Sequence, residues 1–382
     1  MRTLIRWLGS LTLLMTFVLV GCSDSGDDSA NQDANTQQQE SSGSSSETAE
    51  KSGETVTWRF ALEEIEGSVQ DAYAQEFKKR IEEKSNGQIK IEVYPYGSLG
   101  TSSQLTELVQ QKAVELAFAS PGHLASVIPE VGIFTLHFVL SDDNDVNKEV
   151  LSSSEVHDIL APRYAEQNLQ LLSIVPEGWM VWTANKPLRT PADFNDFKIR
   201  TMTSPILTQS YEAYGANPTP MPYSEVYSGL QLKQIEGQVN PIFAIEEMSF
   251  YEVQDYMIIA KHAQFIATVI ANDEWYANLP DDQRQWVDET RDEMVDFIYE
   301  KQAQFNQERL EKIKNNSDTE VITLSDEERQ AFREASMGVR DTYVEQAGEN
   351  GQKLLDTVTS MVKEKEGGSG SDSGSGSGSE QQ

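Results

Sequence analysis

The chain has 382 residues, of which 30 are basic and 62 acidic, and its formal net charge at pH 7 is −32. A surface this acidic repels nucleic acid and anionic lipid headgroups. The acidic residues are spread along the whole chain, so we interpret them as a solvated surface suited to high salt rather than as an acidic binding patch. The single cysteine excludes a disulfide framework and a cysteine-based zinc site, and the length is sufficient for two domains.

The N-terminal segment has the organisation of an export signal. Arg2 and Arg6 accompany an apolar run over residues 7–20, which is too short to cross a hydrocarbon core that needs about 20 helical residues. The run ends in Leu-Val-Gly-Cys, which resembles the lipobox, the processing site of bacterial lipoproteins. We predict a signal peptide over residues 1–21 and a lipid on Cys22 that anchors an extracytoplasmic protein, periplasmic or at the cell surface, to a membrane. The alternative is an uncleaved anchor with an incidental cysteine.

Two polar segments flank the predicted fold. Residues 22–54 consist mainly of Ser, Gly, Asp, Asn, Gln and Glu, and residues 367–382 consist mainly of Gly and Ser. Neither segment has the apolar residues that a core requires. We therefore predict a disordered acidic tether, a disordered tail, and a folded part over residues 55–366.

Strand and helix patterns alternate within the folded part. The first group comprises strands at Val56–Leu62, Ile89–Tyr94 and Val114–Phe118 and helices at Ser68–Lys84 and Gln104–Ala113. This alternation predicts an α/β layer with a mostly parallel sheet. The second group comprises helices at Pro205–Tyr214 and Ser224–Gln234 and strands at Leu171–Val175, Met180–Ala184, Lys198–Met202, Gly237–Pro241, Tyr256–Ile259 and Phe265–Ala271.

The segment Asp281–Asn315 predicts one long helix, because it lacks Pro and Gly and keeps apolar residues at helical spacing. About 35 residues in a helix span roughly 50 Å, which exceeds the width of one small domain. We therefore predict that this helix lies across two lobes. Two further helices are predicted at Asp326–Gln346 and Gly351–Lys365.

The sequence contains no motif for a familiar catalytic or metal site. A glycine-rich phosphate loop, Gly-x-Ser-x-Gly and His-Glu-x-x-His are all absent. The four histidines lack metal-ligand spacing, and the acidic run 141–145 lacks the Gly and the distal Glu of a calcium loop. We predict no enzyme, no cofactor and no metal; an exported enzyme with a carboxylate pair is the alternative, because acidic pairs are abundant.

A binding protein requires a cleft with one or two polar anchors, and Arg200 is the candidate anchor. It lies in the predicted strand Lys198–Met202, just before a predicted helix start at Ser204. A guanidinium offers a planar fork to a carboxylate and stays charged after water is excluded. The alternative is an arginine on the solvent face of a strand.

A resemblance to a known family covers nearly all of residues 56–350. The longest matching segment reads IRTMTSPILTQSYEAYGANPTPMPYSEVYSGLQLKQIEGQVNP, and other matching runs include FYEVQDYM and DEWYANLPDDQRQWV. These segments resemble TRAP-transporter substrate-binding proteins, the extracytoplasmic receptors of ion-driven solute importers. The motifs Glu-Glu-x-x-Glu-Gly, Pro-Glu-Gly and Asn-Pro-Ile-Phe are most similar to those of ectoine-binding receptors. The resemblance implies a two-lobed, periplasmic-binding-protein-like α/β fold that closes on a ligand, with a long helix along both lobes.

The resemblance also implies a set of ligand contacts. Arg200 falls on the family's strand arginine, which clamps the ligand carboxylate. Asn240 falls on the asparagine of Gly-Gln-x-Asn-Pro, which hydrogen-bonds the same end of the ligand. Glu64 falls on an acid that faces a cationic ring in ectoine receptors, and Tyr223 and Phe265 fall on their aromatic wall.

The sequence departs from the ectoine-receptor pattern at several of these positions. His123 and Ala244 stand where those receptors have aromatic residues; His123 remains a predicted contact, and Ala244 predicts a pocket for a larger ligand. Trp179 and Met180 stand where several carboxylate-specific relatives carry a second arginine, which argues against a dicarboxylate or sugar acid. Val239 replaces a glutamate that usually precedes the asparagine.

We predict a monomeric solute receptor of a TRAP-type secondary transporter. It would bind a small organic acid or an ectoine-like zwitterion between its lobes and deliver it to membrane subunits. The alternative is a sensory protein that presents the same solute to a receptor kinase. The first lobe is predicted over residues 55–177 and about 267–300, and the second over residues 178–266 and about 301–366.

Overall fold

The computed structural model describes residues 55–369. The predicted signal peptide, the lipidated Cys22, the tether up to residue 54 and residues 370–382 of the predicted tail lie outside the described residues. Among the helices that are described, none combines the length and the apolar character that a membrane span requires.

The described chain alternates between strands and helices. The strands are β1 (Val56–Ala61), β2 (Ile89–Tyr94), β3 (Leu116–Ala119), β4 (Leu169–Ala184), β5 (Lys198–Thr201), β6 (Asn217–Pro220), β7 (Gly237–Pro241), β8 (Tyr256–Asn272) and β9 (Glu320–Thr323). The helices are α1 (Val69–Lys84), α2 (Ser102–Gln110), α3 (Pro121–Leu124), α4 (Asn144–Leu151), α5 (Ser154–Ala165), α6 (Pro205–Glu212), α7 (Val226–Gln231), α8 (Ile242–Glu247), α9 (Asp273–Ala277), α10 (Asp281–Asn316), α11 (Asp326–Ser336) and α12 (Val339–Ser369).

The strands form one sheet in the order β2-β1-β3-β8-β4-β7-β5-β6, with β9 also paired to β8. The pairs β1–β2 and β1–β3 are parallel, as the sequence predicts for the first group. The pairs β5–β6 and β5–β7 are also parallel, and β6 is a strand that the sequence patterns do not predict. The centre of the sheet differs from the prediction, because β4 runs antiparallel to both β7 and β8.

Strands β4 and β8 connect the two halves of the sheet. They are continuous over 16 and 17 residues, where the sequence predicts two shorter strands in each place. Near one end of the pair, β3 joins residues Thr268–Ala271 of β8; near the other end, β7 joins residues Met180–Ala184 of β4. The ladder between them shifts register around Pro176–Gly178 and Trp179–Val181. The chain thus passes between the two halves through a pair of irregular long strands.

Helix α1 buries the apolar face that its sequence spacing predicts. The hydroxyl of Ser68 caps the helix by accepting a hydrogen bond from the Asp71 backbone N–H at 3.1 Å. Tyr73, Phe77 and Ile81 recur at four-residue steps on one face, and all three are buried against the sheet, as their spacing predicts.

The predicted long helix is confirmed as α10, which has 36 residues. In its N-terminal half, Glu293 forms an ion pair with Lys84 of α1 at 3.0 Å. Towards its C-terminus, Arg309 pairs with Glu246 of α8 at 2.8 Å. The helix therefore packs on elements from both halves of the sheet.

The C-terminal helices differ from the prediction in their boundaries. The predicted break between Gln346 and Gly351 is found as a non-helical kink at Gly348, where φ is 64° and ψ is −153°. A second break between Ser336 and Val339 was not predicted. Tyr343 and Leu354 of α12 join a core cluster that is dominated by residues from 61–171. The lobe boundaries stay a proposal, and this packing favours placing α12 with the first lobe.

Candidate ligand-binding site

One cavity brings together all six predicted ligand contacts. About 340 Å³ of non-protein space lies within it, which includes space open to solvent. Its wall combines charged, polar and aromatic side chains, the mixture that a small-molecule site requires. The lining residues are Glu63, Glu64, Ser102, Ser120, His123, Arg200, Met202, Tyr223, Asn240 and Phe265.

The topology explains why these residues meet. Glu64 follows the carboxyl end of β1, and Arg200 and Asn240 lie close to the carboxyl ends of β5 and β7. In open α/β sheets, ligands bind in the crevice outside these strand ends. Phe265 is contributed by β8, opposite Gly178 of β4, so the cavity lies where the long strands pass between the two halves of the sheet.

Arg200 is 1% exposed and its guanidinium is held by backbone alone. Its Nε and Nη2 donate hydrogen bonds to the Met221 carbonyl oxygen at 3.0 and 2.8 Å. Within residues 55–369, no carboxylate forms an ion pair with Arg200, and Nη1 donates to no protein acceptor. Burial lowers the pKa of the guanidinium to about 10, so it stays charged at neutral pH. A buried cation without a counter-ion is a costly arrangement that an anionic ligand would relieve.

His123 contributes a neutral imidazole beside this cation. Its Nδ1 lies 3.2 Å from the hydroxyl of Thr203. Burial, together with the neighbouring Arg200, lowers the pKa of His123 to about 4. The ring therefore presents a polar edge without charge at the position where ectoine receptors are expected to have an aromatic residue.

Asn240 is oriented by a chain of amide and hydroxyl groups. Its Nδ2 donates to Gln238 Oε1 at 2.5 Å, and Gln238 Nε2 donates to Thr183 Oγ1 at 3.1 Å. The Thr183 hydroxyl in turn donates to Gln254 at 2.9 Å. These buried contacts fix the rotamer of the asparagine in the cavity wall.

Tyr223 is held by aromatic neighbours. Its ring lies edge-on to Tyr96 and Phe250, with centroid separations of 5.8 and 6.0 Å. Phe265 is 9% exposed and closes the wall near Met202. The two rings give the cavity an apolar component, as the resemblance implies.

Three residues of this region were not predicted as part of the site: Glu63, Gln70 and Glu177. We define the acid cluster as Glu63, Glu64 and Glu177, which meet around the fully buried Gln70. Gln70 donates from Nε2 to Glu177 Oε1 at 3.0 Å, and its Oε1 accepts from the Glu63 backbone N–H at 2.8 Å. The Gln70 backbone N–H points to Glu64 Oε2 at 3.4 Å.

Burial is the main cause of a raised pKa at each of the three carboxyl groups of the acid cluster. It raises the pKa of Glu63 and of Glu177 to about 8 each. Burial and the adjacent Glu177 carboxyl raise the pKa of Glu64 well above its usual range. The sequence did contain a signal, since Glu63 precedes a predicted contact and Glu177 is the acid of the Pro-Glu-Gly motif.

Apart from His123, the residues that depart from the ectoine-receptor pattern do not line this cavity. Ala244 is 2% exposed and belongs to the core, so its small side chain does not form part of the wall of this cavity. The Trp179 ring lies 5.7 Å from the Lys261 ammonium, and Met180 lines a neighbouring cavity. Val239 is buried in the core.

Two long strands connect the halves of the sheet, and a small cavity lies at the strand ends between those halves. This is the arrangement of a two-lobed solute-binding protein. Residues 60–346 match the model of the DctP family, described as bacterial extracellular solute-binding protein, family 7. The chain belongs to this family.

Two characterised relatives are similar over most of their length. The ectoine-binding periplasmic protein TeaA of Halomonas elongata is 41% identical over 80% of this chain and 90% of its own. The ectoine/5-hydroxyectoine-binding periplasmic protein UehA of Ruegeria pomeroyi is 38% identical over 78% of this chain and 88% of its own.

Solved structures confirm the two-lobed fold. A TRAP periplasmic solute-binding protein of Marinobacter aquaeolei in an apo open state matches with a TM-score of 0.77 and 48% identity, over 80% of this chain and 100% of that one. The structure of the Halomonas elongata ectoine-binding protein matches with a TM-score of 0.78, over 81% of this chain and 99% of that one.

Proposed function

We propose that this protein is the solute receptor of a TRAP-type transporter and that it binds a small carboxylate-containing solute, an organic acid or an ectoine-like zwitterion. The observation that carries the proposal is the buried Arg200, which has no carboxylate partner among the described residues and lines a cavity for a small molecule. A ligand carboxylate would accept hydrogen bonds from the free N–H groups of the guanidinium. Asn240 is positioned to bind the same end of the ligand.

The relatives' names favour the zwitterion over a dicarboxylate. Both of the relatives named above bind ectoine. A dicarboxylate would bury a second negative charge in a cavity whose lining contains one cation, Arg200, which is unfavourable. The relatives are transport proteins, which favours import over the sensory alternative. In this scheme the ligand draws the lobes together, and membrane subunits receive the closed form.

Export and anchoring complete the proposal. The family is extracytoplasmic by description, which agrees with a signal over residues 1–21. The lipid on Cys22 and the acidic tether would keep the receptor close to its membrane subunits, as a monomer. Mass spectrometry of the protein from its native membrane tests this directly, because an unmodified N-terminus at any residue before Cys22 would contradict lipidation.

A thermal-shift panel tests the ligand class. The folded part over residues 54–369 is to be mixed with ectoine, glycine betaine, succinate and a sugar acid. We expect ectoine to raise the melting temperature by several degrees, because a ligand at 100 times its dissociation constant adds about 2.7 kcal/mol of stability. A panel in which no carboxylate shifts the transition would show the proposed function to be wrong.

A further inference from the structure

A second cavity adjoins the ligand cavity and shares two lining residues with it, Met202 and Phe265. The space open to the centre of a water molecule is about 20 Å³ there, and about 10–15 Å³ is enough to hold one water. The second cavity therefore has the size of one small group. We call it the back chamber, and the lining residues that define it here are His137, Met202, Tyr211, His262, Gln264 and Phe265.

The back chamber has an uncharged lining. The residues around it, all within the described part of the chain, include no Asp, Glu, Lys or Arg. His137 and His262 are 3% and 1% exposed, and burial lowers the pKa of both imidazoles, that of His137 to about 3. Both rings are therefore neutral at neutral pH. A charged group would enter this chamber only at a large desolvation cost.

Each of the two imidazoles has one engaged nitrogen and one that is unpartnered. His137 Nδ1 lies 2.5 Å from the hydroxyl of Tyr214, and His262 Nε2 lies 3.2 Å from the hydroxyl of Tyr211. Among residues 55–369, neither His137 Nε2 nor His262 Nδ1 has a hydrogen-bond partner, although buried polar atoms nearly always have one. The ring centroids lie 4.7 Å apart, a separation that one bridging oxygen atom can span.

The hydrogen bonds of Tyr211 determine the tautomer of His262. An indole N–H can only donate, so Trp182 Nε1 donates to the Tyr211 hydroxyl oxygen at 3.0 Å. Within the described residues, His262 Nε2 is then the only acceptor in contact with the Tyr211 O–H. Nε2 therefore has the lone pair, and in a neutral ring Nδ1 carries the proton. The buried Nδ1–H of His262 requires an acceptor.

A hydroxyl group meets these requirements better than any other small group. Its oxygen accepts a hydrogen bond from His262 Nδ1–H, and the same group can either donate to His137 Nε2 or accept from it. A carboxylate or an ammonium would be buried without a counter-ion. A methyl group would leave both nitrogens unpaired, which is costly for buried polar atoms.

Met202 is the adaptable part of the wall between the two cavities. Its unbranched thioether side chain is flexible, whereas Phe265 lies in β8, where it pairs with Gly178 of β4. A Cβ added to Gly122 would collide with the Sδ and Cε atoms of Met202, so the thioether rests directly against the backbone of α3. Met202 is 7% exposed, and its side chain separates the ligand cavity from the back chamber.

We propose that the back chamber is a second compartment of the ligand site that binds one uncharged hydroxyl group, and that Met202 determines whether water or the solute supplies it. Behind Met202 the hydroxyl group is that of water. A shorter side chain at this position opens the chamber to a hydroxyl group of the solute, which gains affinity because it reproduces the hydrogen bonds of the water that it displaces. The solute part rests on the proposed function, whereas the water part requires no ligand.

A crystal structure of the ligand-free protein, at a resolution that shows ordered water, tests the water part. We expect one oxygen atom within about 3.2 Å of both His137 Nε2 and His262 Nδ1. His262→Phe removes the Nδ1–H and should remove this water. His157→Phe alters a histidine outside the back chamber and should keep it. Imidazole nitrogens that pair with protein atoms, with no water between them, would overturn the water part.

Nitrogen-15 spectroscopy of the imidazole side chains tests the tautomer in solution. The signal of His262 is assigned by its loss in His262→Phe, and we expect the neutral form with the proton on Nδ1. A proton on Nε2 would contradict the requirement for an acceptor at Nδ1.

Calorimetry with ectoine and 5-hydroxyectoine, which differ by one hydroxyl group, tests the role of Met202. We expect Met202→Ala to raise the affinity for 5-hydroxyectoine relative to ectoine by about three- to tenfold, the effect of one net hydrogen bond. The double variant Met202→Ala/His262→Phe should lose this gain. Met202→Leu keeps an apolar side chain of similar volume and should leave the affinity ratio as it is in the wild type.

The outcomes separate this inference from the proposed function. An ordered water with an unchanged affinity ratio in Met202→Ala would assign the hydroxyl group to water alone and refute the role of Met202. If the wild type binds ectoine but the back chamber has neither the water nor the gain, the inference is wrong and the receptor function stands. If no carboxylate binds while the water is present, the proposed function is wrong and the water site stands.

Discussion

Arg200→Met is expected to weaken ectoine binding by at least about 30-fold, because truncating one partner of a buried charge pair costs about 2–5 kcal/mol. Methionine has a similar length and no charge, so it fills the space of the guanidinium stem but leaves the ligand carboxylate without donors. The stability of the ligand-free variant should change little in comparison. Loss of the hydrogen bonds to the Met221 carbonyl is offset by removal of a buried, unpaired charge.

Two further variants show whether the effect belongs to the ligand. Arg200→Lys keeps the charge but loses the planar fork, so its affinity should lie between those of the wild type and Arg200→Met. Arg340→Met is the matched control: Arg340 also donates to a backbone carbonyl, that of Phe138 at 2.8 Å, and it lies outside the cavity. Calorimetry in which Arg200→Met binds ectoine within threefold of Arg340→Met would contradict the assignment of Arg200.

The long strands mark the limit of what local sequence patterns predict. Pro176 and Gly178 read as the end of one strand and a turn before the next, because both residue types are depleted in strands. In the structure they lie at register shifts within β4, where a sheet tolerates them. The pairing with β8 continues on both sides, and only the tertiary fold makes this visible.

The same distinction holds within the site. Arg200, Asn240 and the aromatic wall could be predicted because each falls in a recognisable motif. The acid cluster was predicted only in part, through Glu64. Glu177 joins it when α1 packs beside β4, through a hydrogen bond with Gln70 that spans 107 positions of the chain. Their meeting depends on packing rather than on any pattern that a local stretch of sequence carries.

Gly178→Ala is expected to destabilise the ligand-free protein by about 2–5 kcal/mol, because two costs combine at this position. The backbone of Gly178 has a φ of +128°, which L residues rarely adopt, and an added Cβ would lie 2.9 Å from Cγ of Asn306. Asn306 cannot move freely, since its Nδ2 donates to the Glu177 carbonyl oxygen at 2.8 Å and its Oδ1 accepts from the Phe243 N–H at 3.2 Å.

Substitutions at two other glycines separate the cost of backbone strain from the cost of the steric clash. Gly67 has a φ of +88° with nothing within 4 Å of an added Cβ, so Gly67→Ala isolates the backbone strain. Gly338 has neither a positive φ nor a close neighbour, and Gly338→Ala should be neutral or stabilising by up to about 1 kcal/mol. Urea denaturation should therefore rank the three variants Gly178→Ala, Gly67→Ala and Gly338→Ala in order of decreasing loss.

A double variant tests whether the clash with Asn306 causes part of the stability loss in Gly178→Ala. Asn306→Ala removes the clash but also the bridge from α10 to β4 and α8, so the double variant with Gly178→Ala should lose less stability than the sum of the single variants.

Because Glu177 of the acid cluster precedes Gly178, and Phe265 of the cavity wall pairs with it, Gly178→Ala should also weaken ectoine binding. Unchanged affinity in a folded Gly178→Ala protein would show that the irregular stretch of β4 positions neither residue.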